Sequence, residues 1–346
     1  MKFSNRLKYI LFSVVYWLLA CHCYIILRFI GIDGDAAGKI NYGEIFFLAT
    51  FDSIVIGFLF GIFTSSSLSL RLKRRAFFST VLINTVLYVC FFGAVIFGSS
   101  LVGNTLAFAV QYSLSSASLV TLFYLSVCSL LYHFILQMNK KFGPGVLFEY
   151  IIGKYFSPKE EKRVFMFLDL TASTTIAESL DTLLYSQFLQ SCYIELTEPI
   201  STYSAHVYQF VGDEVVVTWK VNKDFDYGQC VNFYFAFANA LLGKKEYFMK
   251  TFGVQPVFKA GIHSGTVVAA EVGELKTEIA YHGDVVNTAS RIQGLCNQHS
   301  QQLLISESIF NPIAGNKKFT LGLIGDVQLK GKFQSLKVYS VQLKSV

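Results

Sequence analysis

The first 137 residues of this 346-residue chain contain four apolar runs that approach or exceed the roughly 20 residues a helix needs to cross a bilayer. Inside hydrocarbon no water is present to bond exposed amides, so a run of this kind can only become a helix whose backbone is satisfied within itself. The runs lie near Tyr9 to Ile30, Ile45 to Phe63, Phe77 to Phe97, and within Leu106 to Leu136. The fourth is too long for one straight span, so its first dozen residues are expected at the interface or outside. Only 13 of the 52 charged residues fall in this part. The expected fold class is an all-α transmembrane bundle of four helices followed by a soluble domain, divided as residues 1–137, a connector at 138–160, and 161–346.

The charges beside the runs orient them. Lys2, Arg6 and Lys8 precede the first, and Asp33, Asp35, Lys39 and Glu44 follow it. Arg71, Lys73, Arg74 and Arg75 lie after the second, no charge lies between Gly98 and Asn104, and Lys140 and Lys141 follow the fourth. Positive residues stay on the cytoplasmic side, which predicts that both termini and the soluble half are cytoplasmic. Much of the net charge of +6 belongs to these flanks, and no basic and aromatic pattern in the second half suggests nucleic acid as a partner. The seven cysteines are scattered, with one C-H-C pair inside an apolar run, so neither a zinc cluster nor a disulfide framework is indicated. Asp52 and His133, ionisable groups in or near spans, are candidates for a functional or a helix-packing role.

The connector GPGVLFEYIIGKYFSP, Gly143 to Pro158, spaces Leu147, Ile151 and Tyr155 by four, which predicts a short amphipathic helix. RVFMFLDL from Arg163 then reads as a buried strand ending in Asp169. Thr175 and Glu178 have the spacing of a capping box, and VYQFVGDEVVVTW from Val207 reads as two strands turning at Gly212 and Asp213. A helix is expected over Tyr227 to Lys250, and VFKAGIHSGTVVAAEV from Val257 as strand, glycine turn and strand. Two strand-end carboxylates, Asp169 and Asp213, suit a hard cation such as Mg2+, which is usually held by one or two carboxylates together with substrate phosphates. The backbone N–H groups of the Thr171 to Thr174 turn would cradle those phosphates. Asn287 and Arg291, four apart in DVVNTASRI, share one helix face, and Lys330 sits in VQLKGK.

In order and content these segments resemble the class III nucleotidyl cyclases. The resemblance is carried by FLDLTASTTIAE (Phe167 to Glu178), VYQFVGDE (Val207 to Glu214), FKAGIHSGTVVAAEVG (Phe258 to Gly273), YHGDVVNTASRIQ (Tyr281 to Gln293) and VQLKGK (Val327 to Lys332). It implies an α+β ferredoxin-like palm that works as a head-to-tail homodimer with shared active sites. Residue by residue, it implies two ions of Mg2+ or Mn2+ on Asp169, Asp213 and the Leu170 carbonyl, Asn287 and Arg291 stabilising the transition state, and Lys330 on the terminal phosphates. An arginine common in the family is here Lys259, which keeps the charge without the bidentate fork.

The chain departs from the family where the base is read. The first position, usually Lys for adenine or Glu for guanine, is Gln209; the second, usually Asp or Thr for adenine and Cys for guanine, is Ala280. Without a guanine-selecting carboxylate the expected substrate is ATP, with GTP as the alternative. VGDEV also resembles the GGDEF signature of diguanylate cyclases, but that reading leaves VVNTASR and LKGK unexplained. A membrane sensor whose cyclase-like domain only dimerises or binds nucleotide is the non-enzymatic alternative.

Overall fold

The computed structural model describes residues 3–29, 42–65, 77–101, 104–143, 145–328 and 335–344. Lys330, Pro144 and most of the charged residues used to orient the spans (Lys2, Asp33, Asp35, Lys39, Arg71, Lys73, Arg74, Arg75) lie outside the described residues. The chain divides into two compact units, Met1–Phe142 and Gly143–Val346.

The first unit consists of helices α1 (Phe3–Phe29), α2 (Tyr42–Ser65), α3 (Phe77–Leu101), α4 (Leu106–Ser113) and α5 (Ser116–Phe142). Four of them are long and apolar enough to cross a membrane, over Tyr9–Arg28, Gly43–Thr64, Phe77–Gly98 and Ser116–Phe142. The long fourth run is broken where expected. Thr105 caps α4 by accepting a hydrogen bond from the Phe108 N–H at 3.3 Å, and a new helix starts at Ser116. Helices α1 and α2 touch backbone to backbone: a methyl group on Gly57 would stand 2.5 Å from the Val14 Cα, and one on Gly61 2.6 Å from the Ile10 Cα. Small residues one turn apart permit such close approach where lipid offers no hydrophobic drive. Trp17, Phe60, Tyr88, Phe92 and Tyr132 fill the interior. The Tyr16 hydroxyl donates to the Cys128 carbonyl at 2.6 Å, and that of Tyr124 to the Ala20 carbonyl at 2.8 Å, tying α1 to α5. His133 is buried with its ring 4.5 Å from that of Tyr88, beside a cavity of about 50 Å³, whereas Asp52 is exposed on α2.

The second unit begins with α6 (Val146–Ile151) and continues as β1 (Lys159–Leu170), α7 (Ser173–Ser179), α8 (Thr182–Ile194), α9 (Thr197–Thr202), β2 (His206–Val211) and β3 (Glu214–Lys220). Then come α10 (Gly228–Leu242), α11 (Lys245–Phe252), β4 (Phe258–Val272), β5 (Glu278–His282), α12 (Asp284–Gln298), β6 (Leu303–Ser306), α13 (Glu307–Ile313), β7 (Phe319–Val327) and β8 (Leu336–Leu343). The strands form one sheet in the order β2-β3-β1-β4-β6-β8-β7, with β5 paired to β4. Its first four strands are all antiparallel. With helices between β1 and β2 and between β3 and β4, they form the βαββαβ arrangement of a ferredoxin-like palm. Successive side chains of β1 point to opposite faces. Val164, Met166, Leu168 and Leu170 therefore enter one core with Phe233 and Phe237 of α10, while Phe165 and Phe167 pack on the other face against Val285 and Ala289 of α12.

Three sequence expectations are corrected. GIHSG is no turn: β4 runs unbroken for 15 residues. Its Gly261 lets α12 lie directly on the strand, because a Cβ there would stand 2.2 Å from the Gln293 backbone nitrogen. Gly261→Ala is therefore expected to force the helix away and cost about 1–3 kcal/mol, the usual range for overpacking, read as a lowered unfolding midpoint. The capping box is not formed either, since Ala172 at φ 55° precedes α7 without a side-chain cap. Asp181 caps α8 instead, accepting from the Leu184 N–H at 2.8 Å. Finally, the connector helix stops at Ile151. Tyr155 lies beyond it, 1% exposed, while Ile151 is 73% exposed, so the two do not share a face. The Tyr155 hydroxyl donates to Glu161 at 3.0 Å, and Glu161 also binds Arg163 at 2.9 Å and Lys220. The apolar periodicity missed this because a buried ion cluster, not an apolar stripe, holds the segment.

Candidate active site

Asp169 is the penultimate residue of β1, and Asp213 follows Gly212 in the tight turn between β2 and β3. The β1–β3 pairing brings the end of β1 beside this turn, in the register Asp169↔Glu214 and Leu168↔Val215. On the other side Asp169 faces Lys259 of β4. Directly opposed residues share a face, so Asp169, Glu214 and Lys259 stand together on the side covered by α12. Leu170 buries its side chain in the opposite core, at 1% exposure, which leaves its backbone next to the carboxylates.

The electrostatics reflect crowding of like charge. Burial, and then the charge of Asp213, raises the Asp169 carboxyl above the ordinary aspartate range, partly opposed by a hydrogen bond from Gln293 and by the Lys259 charge. Glu214 is pushed up to about 7 by burial and by both aspartates. The Lys259 ammonium bonds the Asn297 side-chain oxygen. Among the described residues no group of three or more metal-ligating side chains occurs. A Mg2+-type ion is usually held by one or two carboxylates and takes its remaining ligands from substrate phosphates and water. A pair of half-buried, mutually repelling carboxylates is a donor set that a divalent cation would relieve.

One donor proposed for the phosphates is already taken: the Thr171 N–H bonds the Val257 carbonyl at 2.8 Å. The next amides open α7, where the first turn of a helix leaves its N–H groups without intrahelical partners.

The positions expected to read the base lie on β2 and β5. A bulge after Val207 places Gln209 opposite Val216, on the face of Phe167 and Asp169. Ala280 lies in β5 next to Tyr281, whose ring is 5.0 Å from that of Tyr208, the neighbour of Gln209. Gln209 is exposed and Ala280 half-buried.

Asn287 and Arg291 are not brought to these carboxylates. Helix α12 turns Val285, Ala289, Ile292 and Cys296 to the sheet, leaving Asn287 exposed and Arg291 half-exposed. Neither side chain has a hydrogen bond or ion pair among the described residues. Sequence reasoning assigned no role to Glu214 or Gln293, although both lie in the quoted segments; a third carboxylate beside Asp213 was the available signal for the first.

Residues 157–343 match the sequence profile of the adenylate and guanylate cyclase catalytic domain. Adenylate cyclase 2 of Rhizobium meliloti (strain 1021) is 31% identical over 213 residues, covering 62% of this chain and 59% of that protein. The soluble guanylate cyclase subunit beta-2 of Rattus norvegicus is 27% identical over 186 residues, 51% of this chain and 25% of that one. This chain thus spans less than two thirds of the length of either relative. A solved bacterial light-regulated adenylyl cyclase superposes with a TM-score of 0.53 at 21% identity, over 62% of this chain and 64% of that one, and shares the fold. With more than half of its length matched by the profile, in the segments that build this carboxylate site, the chain belongs to the adenylate and guanylate cyclase catalytic domain family, the class III nucleotidyl cyclases.

Proposed function

We propose that the protein is a membrane-anchored adenylate cyclase that converts ATP to 3′,5′-cyclic AMP and pyrophosphate as a homodimer with two shared sites. In this reading residues 1–137 form the membrane domain, 138–160 the connector and 161–346 the cytoplasmic catalytic domain. The observation that carries it is the distribution of groups on one chain: carboxylates crowd at the end of β1, while Asn287 and Arg291 stand unengaged on the outer face of α12. A second copy packed head to tail would bring that outer face to the carboxylates.

Cyclisation requires the ribose 3′-oxygen to attack the α-phosphorus in line, losing its proton as the bond to pyrophosphate breaks. Asp169, Asp213 and the Leu170 carbonyl would hold two Mg2+ or Mn2+ ions. Such ions, when bound, acidify a hydroxyl and neutralise phosphate oxygens. Asn287 would hold the ribose in its attacking pose, and Arg291 would stabilise charge building on the α-phosphate. Lys330 and Lys259 would engage the terminal phosphates, Lys259 by exchanging its Asn297 partner for a charged one. Assay of the purified protein with each of the four nucleoside triphosphates and Mg2+ or Mn2+ tests activity and base choice together. Absence of cyclic product from all four would overturn the reading in favour of a non-catalytic nucleotide-binding or dimerising domain.

Base choice rests on Gln209. Its amide pairs with adenine N1 and N6 in one orientation, and with guanine only after turning over, which leaves the guanine 2-amino group unmatched. An unpaired buried polar group costs about 1–3 kcal/mol, so a tenfold to hundredfold preference for ATP is expected. Gln209→Glu should move the kcat/KM ratio towards GTP. An unchanged ratio would remove Gln209 from the base pocket.

A further inference from the structure

Helix α12 has two working faces. On the inner one Gln293, 8% exposed, donates from Nε2 to the Asp169 Oδ2 at 3.1 Å. On the outer one, two and six residues earlier, stand Arg291 and Asn287. The position of Gln293 is tightly held, because its backbone lies against Gly261 closely enough to exclude a Cβ there.

We propose that Gln293 is a positioning residue: it fixes the Asp169 carboxylate in the orientation that binds the divalent cations, from the same helix that presents Asn287 and Arg291 to the other site of the dimer. The inference rests on the proposed function in taking Asp169 as a cation ligand. The bond engages Oδ2, so the carboxylate is held from the α12 side. Asp213 lies beside it, and without the amide the Asp169 side chain would lose this fixed orientation. An apolar residue in place of Gln293 would satisfy packing equally well, so the amide is explained by its partner and not by burial. Partners of metal ligands usually contribute about 10- to 100-fold to metal affinity.

The test is Mn2+ binding by the full chain in detergent micelles without nucleotide, which would itself chelate the ion, followed by the electron paramagnetic resonance of free Mn2+. Wild type, Gln293→Met, Gln293→Ala and Asp169→Asn are compared, each with a thermal melt taken without Mn2+. Gln293→Met keeps the length and bulk of the side chain, and Gln293→Ala decides the matter if the longer side chain disturbs folding. The expected result is Mn2+ affinity weakened about tenfold or more with an unchanged melt, and the Mn2+ concentration for half-maximal turnover raised by the same factor. Folded Gln293 variants within twofold of wild type, while Asp169→Asn loses binding, would overturn this inference and leave the proposed function standing. Unchanged binding by Asp169→Asn would overturn the cation site itself.

Discussion

Asp169→Ala and Asp213→Ala are each expected to lower turnover by at least about a thousandfold, some 4 kcal/mol of transition-state stabilisation, without unfolding the domain. The size of the effect follows from what the two carboxylates do together. Bound cations are often the largest local charges in a site of this kind, and loss of either ligand removes the charge that would face the phosphates. Survival of the fold in the Asp169 variant follows from the cost of that carboxylate in the absence of metal. Burial and the charge of Asp213 raise the Asp169 carboxyl, so near neutral pH its ionised form opposes folding. A group whose folded-state pKa is raised in this way withdraws stability as the pH climbs above its unfolded value. Removing it should leave the metal-free melting temperature equal or higher, as a thermal melt beside the activity assay would reveal. Near-normal turnover of either variant at saturating Mn2+ would end the two-cation reading.

The second large effect concerns assembly. Asp213→Ala and Arg291→Ala, each inactive alone, are expected to recover activity when the subunits exchange. A mixed dimer would contain one site with both defects and one with none. Random pairing makes half the dimers mixed, so roughly a quarter of wild-type activity should return, from essentially nothing. The structural basis is α12, which cannot present Arg291 to its own Asp169 because Val285, Ala289 and Ile292 on the opposite side are packed against the sheet. If no activity returned after exchange had been verified by differently tagged subunits, the site would have to be assembled within one chain.

Much of the architecture was readable from local pattern. Four apolar runs became four long helices, because in a segment of that length and composition no other backbone arrangement satisfies the amides. Asp169 at the end of its strand and Asp213 in its turn were found where the residue pattern placed them, since strand alternation and the Gly-Asp turn are decided over a few residues. The GIHSG segment was misread for the opposite reason. Glycine marks both turns and close approach, and only the presence of α12 against Gly261 distinguishes the two. The connector shows the same limit. Its spacing suggested one apolar face, but Tyr155 is held by Glu161 and Arg163 of β1, and Glu161 in turn by Lys220 of β3, which the local sequence does not contain.

What the sequence alone determined, then, was composition-driven and local: where apolar helices must form, which candidate residues the chain offers, and their order along it. What only the tertiary structure decided was proximity and facing. The bond from Gln293 to Asp169 joins residues 124 positions apart. The crowding that pushes Glu214 up to about 7 depends on the register of β1 against β3. The outward facing of Asn287 and Arg291 depends on which stripe of α12 the sheet buries. Periodicity and motif spacing act over a few residues, whereas burial, charge crowding and strand register are properties of pairs brought together by the whole fold, and no local rule contains them.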